Sequence, residues 1–172
     1  MGYLFVSNII LRSLAFAFLV ITLGLTGSLI NGQAFGRPQV NFIMFTSVFG
    51  LLFGVLYQVL ALFISALAFP IVLAALDFLN TVFTFSGATA LAVAIRVHSC
   101  TNVQYLNSNS VAQGSTDRCR KAQADTAFTY FAFIVFLVAL VLSISTGFRE
   151  GWGNIPIRKR PARPGPSMSQ VA

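Results

Sequence analysis

Between Phe42 and Ile95 the chain runs for 54 residues with Gln58, Asp77 and Asn80 as its only strongly polar members. As one helix this stretch would extend about 80 Å, whereas a bilayer's hydrocarbon core is about 30 Å thick and takes about 20 residues to cross. It therefore has to fold back on itself. The hinge falls at residues 65–70, SALAFP, because proline suits the first turn of a helix and disfavours helix in the residue before it. Two spans follow from this, at residues 42–64 and 70–95. Two more apolar stretches of similar length lie at residues 9–30, interrupted by Arg12, and 126–146, rich in Phe, Val, Leu and Ala. Only 9% of the 172 residues are charged, against about 25% in soluble domains, and 56% are hydrophobic, which excludes a disordered chain as well. The expected fold class is all-α, a four-transmembrane-helix bundle over residues 1–146, with a loop at 96–125 and a basic, disordered tail at 147–172.

Four spans place both termini on one side. After Thr146 the tail holds Arg149, Arg158, Lys159, Arg160 and Arg163 against Glu150, together with four of the six prolines. The positive-inside rule makes that side cytoplasmic. The 96–125 loop opposes this with Arg96, Arg118, Arg120 and Lys121, so charge alone separates the two orientations only narrowly: six Lys/Arg on the tail side, five on the other. The sole cysteines, Cys100 and Cys119, sit in this same loop. A disulfide in an oxidising compartment fits cytoplasmic termini; free thiols, or palmitoylated cysteines in the inverted topology, are the alternatives. The net charge of +7 is thus divided between a loop and a tail, with no basic folded face of the kind nucleic acid requires. Arg158, Lys159, Arg160 and Arg163 are expected to contact anionic lipid headgroups, at about 1 kcal/mol per basic residue.

Polar residues inside the spans fall on helical stripes. Asp77, Asn80, Thr81, Thr84 and Ala88 share one face of the third span, and Ser47, Gly50, Gly54 and Gln58 one face of the second. Gly50 and Gly54 form a small-xxx-small step that permits close helix approach. On the first span Asn8, Arg12, Ala15, Thr22 and Thr26 align, while Gly24 and Ser28 make a second small pair expected to pack a helix. These faces can build an ordinary bundle interior. A sharper expectation joins Arg12 to Asp77 as a buried ion pair, with Arg12 snorkelling to the interface as the alternative. A small transporter or channel gated by Asp77 and Asn80 is the rival function, although no internal repeat of the transporter kind is present. His98 stands outside any Cys/His cluster of zinc spacing. No nucleotide-binding glycine motif, HExxH or nucleophile elbow occurs. No catalytic residue, metal ligand or cofactor is expected.

The segments LDFLNTVFTF, AIRVHSC and NSNSVAQGSTDRCRKAQA resemble the fungal non-classical export protein family, four-span proteins with a MARVEL-type domain. Asp77, Phe78, Leu79, Asn80, Arg96, His98, Cys100, Gln113, Gly114, Arg118, Cys119 and Arg120 carry the match, which weakens in the tail. The resemblance implies a multi-pass protein of the plasma membrane's eisosome-associated compartment, an organiser of lipid microdomains linked to sphingolipid sensing, with cytoplasmic termini and no enzymatic activity. Expected partners are membrane lipids (sphingolipid, sterol or anionic lipid), eisosome or other compartment proteins, and further copies of the chain.

Overall fold

The computed structural model describes residues 2–33, 35–96 and 98–150, so Arg158, Lys159, Arg160 and Arg163 lie outside the described residues, whereas Arg149, expected in the disordered tail, stands in the last turn of the helix Thr116–Glu150. Among those residues all regular structure is helical: α1 (Gly2–Asn31), α2 (Pro38–Phe49), a π-helical segment (Gly50–Leu56), α3 (Tyr57–Phe63), a short 3-10 turn (Ser65–Leu67), α4 (Pro70–Ile95), α5 (Val103–Ser108) and α6 (Thr116–Glu150). Four of the stretches are long and apolar enough to cross a membrane: Phe5–Asn31, Pro38–Phe63, Pro70–Ile95 and Thr116–Arg149.

The hinge lies where proline places it. Phe69 is extended, Pro70 opens α4, and the 3-10 turn joins the second and third spans. Pro38 likewise opens α2, four residues before the expected start of the second span. The largest departure is α6, which begins at Thr116, ten residues ahead of the expected span. Charged residues end a hydropathy signal without ending a helix. At 1.5 Å per residue, the 35 residues of α6 reach about 52 Å, so its first turns stand in the loop region.

The spans form a ring in which α6 packs along α4 and α1, and α2 closes the other side against both. The interior holds two apolar clusters. Ala15, Leu19, Ala132, Val135 and Phe136 fill the middle, and Leu29, Val40, Ile43, Leu91, Ile95, Val111 and Ala122 fill the loop end. Outside, Phe16, Phe45, Phe53, Phe78, Phe85 and Phe131 are exposed, the arrangement expected of a bundle whose solvent is lipid. On the second span Phe42, Phe45, Phe49 and Phe53 pack in sequence at centroid distances of 6.2, 5.9 and 4.8 Å, with Phe83 of α4 set edge-on against Phe45 and Phe49.

The loop is built on the Cys100–Cys119 disulfide, which spans a Cα–Cα distance of 5.7 Å and encloses Leu106 and Ala112. Two loop side chains cap the free carbonyls of the last turn of α4: Asn109 Nδ2 donates to Ala94 O at 2.9 Å, and the Tyr105 hydroxyl donates to Ile95 O. Burial pushes the Tyr105 phenol above its ordinary pKa, with nearby Arg96 pulling it partly back. The Cys100→Ser variant should run more slowly than wild type on a non-reducing gel and identically to it after reduction.

Candidate functional site: a buried polar node shared by four spans

Asp77 lies on the buried stripe of α4 and is fully enclosed. Arg12 of α1 meets it fork to fork, Nη1 to Oδ1 at 2.7 Å and Nη2 to Oδ2 at 2.9 Å. Each partner's remaining capacity is taken up by groups of the right sign. The guanidinium donates further to Asn8 Oδ1 and to the Gly54 carbonyl, both at 3.1 Å. The carboxylate accepts from Gln58 Nε2 at 3.2 Å and from Ser143 Oγ at 2.6 Å. Gln58 also donates to Leu73 O at 3.0 Å. All four spans therefore contribute a group: Asn8 and Arg12, Gly54 and Gln58, Asp77, and Ser143. A buried charge is tolerated only when paired and hydrogen-bonded, and both conditions are met here. Arg12 does not snorkel; its side chain is 3% exposed.

The glycines make this convergence possible. A Cβ at Gly54 would fall 2.6 Å from Phe136 Cε1 and 3.0 Å from Asn80 Nδ2; one at Gly50 would fall 2.8 Å from Leu19 Cδ1. Both belong to the π-helical segment, a widened turn of a kind frequent at functional positions. Asn80 sits against the two glycines, its Nδ2 donating to Leu76 O at 2.8 Å while its buried Oδ1 has no partner. The other expected small pair does not pack a helix. Gly24 and Ser28 are exposed, a Cβ at Gly24 meets nothing within 4 Å, and Ser28 Oγ accepts from Lys121 Nζ at 3.1 Å. Small residues bring helices together only where a helix faces them, and Gly24 faces outward.

Sequence reading missed Ser143, because a serine near the end of a span looks like an interfacial residue. It also missed a second buried group toward the loop end. Asp125 of α6 is fully buried and accepts from Thr26 Oγ1 at 2.7 Å, while its Oδ1 has no partner. Thr26 was already on the polar stripe of α1, and the i+3 and i+4 steps of Ala122, Asp125 and Thr129 mark the facing side of α6. Arg118 is buried nearby and donates to Leu29 O at 2.9 Å. No cation pairs with Asp125 among the described residues. Asp125→Asn should therefore shift stability by no more than about 1 kcal/mol, the amide oxygen keeping the Thr26 bond; thermal unfolding in detergent checks this.

Among the described residues no cluster of three His, Cys, Asp or Glu side chains is placed to hold a metal, and the His98 ring packs at a tilt against Tyr105, centroids 4.9 Å apart.

An all-helical ring of four apolar spans, closed internally by an ion pair that draws on every span, defines a multi-pass membrane protein. The chain belongs to the MARVEL family of membrane-associating domains, matching it over residues 3–142, and within it to the fungal non-classical export proteins. It is 46% identical to "Non-classical export protein 2" of Saccharomyces cerevisiae over 94% of this chain and 96% of that protein. It is 47% identical to "Non-classical export protein 102" of Candida albicans over 96% and 98%, and 34% identical to a Schizosaccharomyces pombe homologue over 78% and 75%. No solved structure matches.

Proposed function

We propose that the protein is a structural organiser of the plasma membrane, gathering lipids and compartment proteins into microdomains of the eisosome-associated kind, with both termini cytoplasmic. The observation that carries this reading is the division of chemistry between inside and outside. Arg12 and Asp77 are consumed within the bundle by their own node and Asp125 is likewise enclosed, while the outward surface is aromatic and aliphatic. Such a surface acts on acyl chains and neighbouring spans. A membrane-facing groove of about 320 Å³ between the first two spans, lined by Ile9, Ser13, Phe16, Val55, Leu62 and Phe63 among others, is of a size and polarity that suits an acyl chain or sterol. The tail supplies the complementary contact through Arg158, Lys159, Arg160 and Arg163, which draw anionic headgroups or a cytosolic scaffold. Responsiveness to sphingolipid follows if the groove and the aromatic surface sort long saturated chains from short ones.

The transporter reading has less support, because Asp77 has both oxygens engaged by Arg12 and its neighbours and is not free to bind a passing ion. In fungal cells the fluorescently tagged full chain should gather in stable patches, and deleting residues 156–172 should disperse them. Uniform distribution of the intact chain would contradict the organiser reading, and unchanged patches after the deletion would move the tether to the spans.

A further inference from the structure

Where the last turn of α4 meets the disulfide-held loop, a cleft of about 650 Å³ opens, with Val93, Arg96, His98, Gln104 and Ser108 among its lining. Its walls are fixed by the Tyr105 and Asn109 bonds to the α4 carbonyls and by the Cys100–Cys119 bridge. Side-chain N–H and O–H donors are plentiful, Arg96 supplies a fixed positive charge, and none of the chain's four acidic residues lines the cleft. Arg96 pairs with no carboxylate among the described residues. It also occupies a left-handed backbone conformation, φ 46 and ψ 45, at the C-cap of α4, a place that ordinarily favours glycine. An arginine held there against its backbone preference, in a cleft without acids, points to an anion. The cleft's level gives the anion's source. Val93 is 68% exposed on the last turns of a span, so the cleft adjoins the headgroup layer of the leaflet on the disulfide side.

We propose that this cleft binds the anionic phosphodiester headgroup of a membrane lipid, with Arg96 as the charged contact and His98, Gln104 and Ser108 as supporting hydrogen-bonding groups. The site deepens the organiser reading and rests on it only for the presence of a bilayer; lipid binding at the cleft without patches in cells would sink that reading and leave this one standing.

The test uses the full chain in neutral detergent, titrated with short-chain phosphatidylglycerol or phosphatidylcholine, the retained lipid counted by native mass spectrometry. Wild type should hold one phosphatidylglycerol at least tenfold more tightly than phosphatidylcholine. Arg96→Gly should fold at least as well as wild type, since glycine suits the left-handed position, yet lose that preference. Gln104→Glu, an exposed change that sets an acid in the cleft, should lose it too and decides the matter alone if Arg96→Gly does not fold. Neutralising the tail through Arg158→Gln, Lys159→Gln, Arg160→Gln and Arg163→Gln together should leave the preference in place. The proposal is overturned if wild type shows no preference, if the preference survives in either folded cleft variant, if it vanishes in the tail variant, or if inorganic phosphate at equal concentration displaces the lipid.

Discussion

Replacing Asp77 with Asn is expected to lower the stability of the bundle by about 3–5 kcal/mol, the cost of leaving a buried charge without its partner. The stranded group is Arg12, whose guanidinium is enclosed between α1, α4 and the π-helical segment. It would keep Asn8, the Gly54 carbonyl and the one remaining amide oxygen, none of which carries charge, while the new amide N–H group would face a guanidinium donor. The loss should appear as a lower unfolding midpoint in detergent and as protease sensitivity in all four spans together, because each contributes a group to the node. A substitution that spreads no further than α4 would show that the spans are held independently. The contrast with Asp125→Asn is informative, since both acids are fully buried but only Asp77 balances a cation.

Gly54→Ala is expected to be nearly as damaging, at about 2–3 kcal/mol, toward the upper end of what overpacking costs. A Cβ there falls 2.6 and 2.7 Å from two carbons of the Phe136 ring. Phe136 is itself fully buried, so its ring has no open space to move into, and Asn80 Nδ2 blocks the other direction at 3.0 Å. Relief would have to come from the backbone, and moving the Gly54 carbonyl pulls it from Arg12. The clash and the node are thus coupled, and the Gly54→Ala, Asp77→Asn double variant should lose less than the two single losses combined. Gly24→Ala serves as the internal control: with nothing within 4 Å of the added carbon, it should be neutral or slightly stabilising, as alanine is in a helix.

Much of this site was legible in the sequence because helical periodicity is a strong signal in an apolar background. A lone Arg12 and a lone Asp77 on stripes of small and polar residues leave few arrangements that satisfy both. Pro70 fixed the start of α4 through its own backbone chemistry. What stayed hidden was information that periodicity does not carry. The π-helical register of Gly50–Leu56 is a shift of hydrogen-bond partner and leaves no trace in residue spacing. Asp125 looked like the last residue of a loop because the hydropathy window closes there, although α6 had begun at Thr116. Gly24 and Ser28 matched a packing pattern on a face that has no helix opposite. Small residues report what a helix tolerates at its surface, and the neighbour has to come from the fold.

The node's polarity also determines which double variant is informative. Exchanging the charges would aim a carboxylate at Asn8 Oδ1 and the Gly54 carbonyl, both acceptors, and a guanidinium at the donors of Gln58 and Ser143. A swap should therefore rescue poorly. Removing both charges with apolar side chains of similar reach avoids that mismatch. The most direct measurement is a double-mutant cycle on the full chain, comparing the unfolding free energies of wild type, Arg12→Met, Asp77→Leu and the combined variant. The predicted result is a coupling of at least about 2 kcal/mol, with the combined variant more stable than either single one. Additive losses, within about 0.5 kcal/mol, would contradict the claim that one buried ion pair closes the four spans into a single bundle.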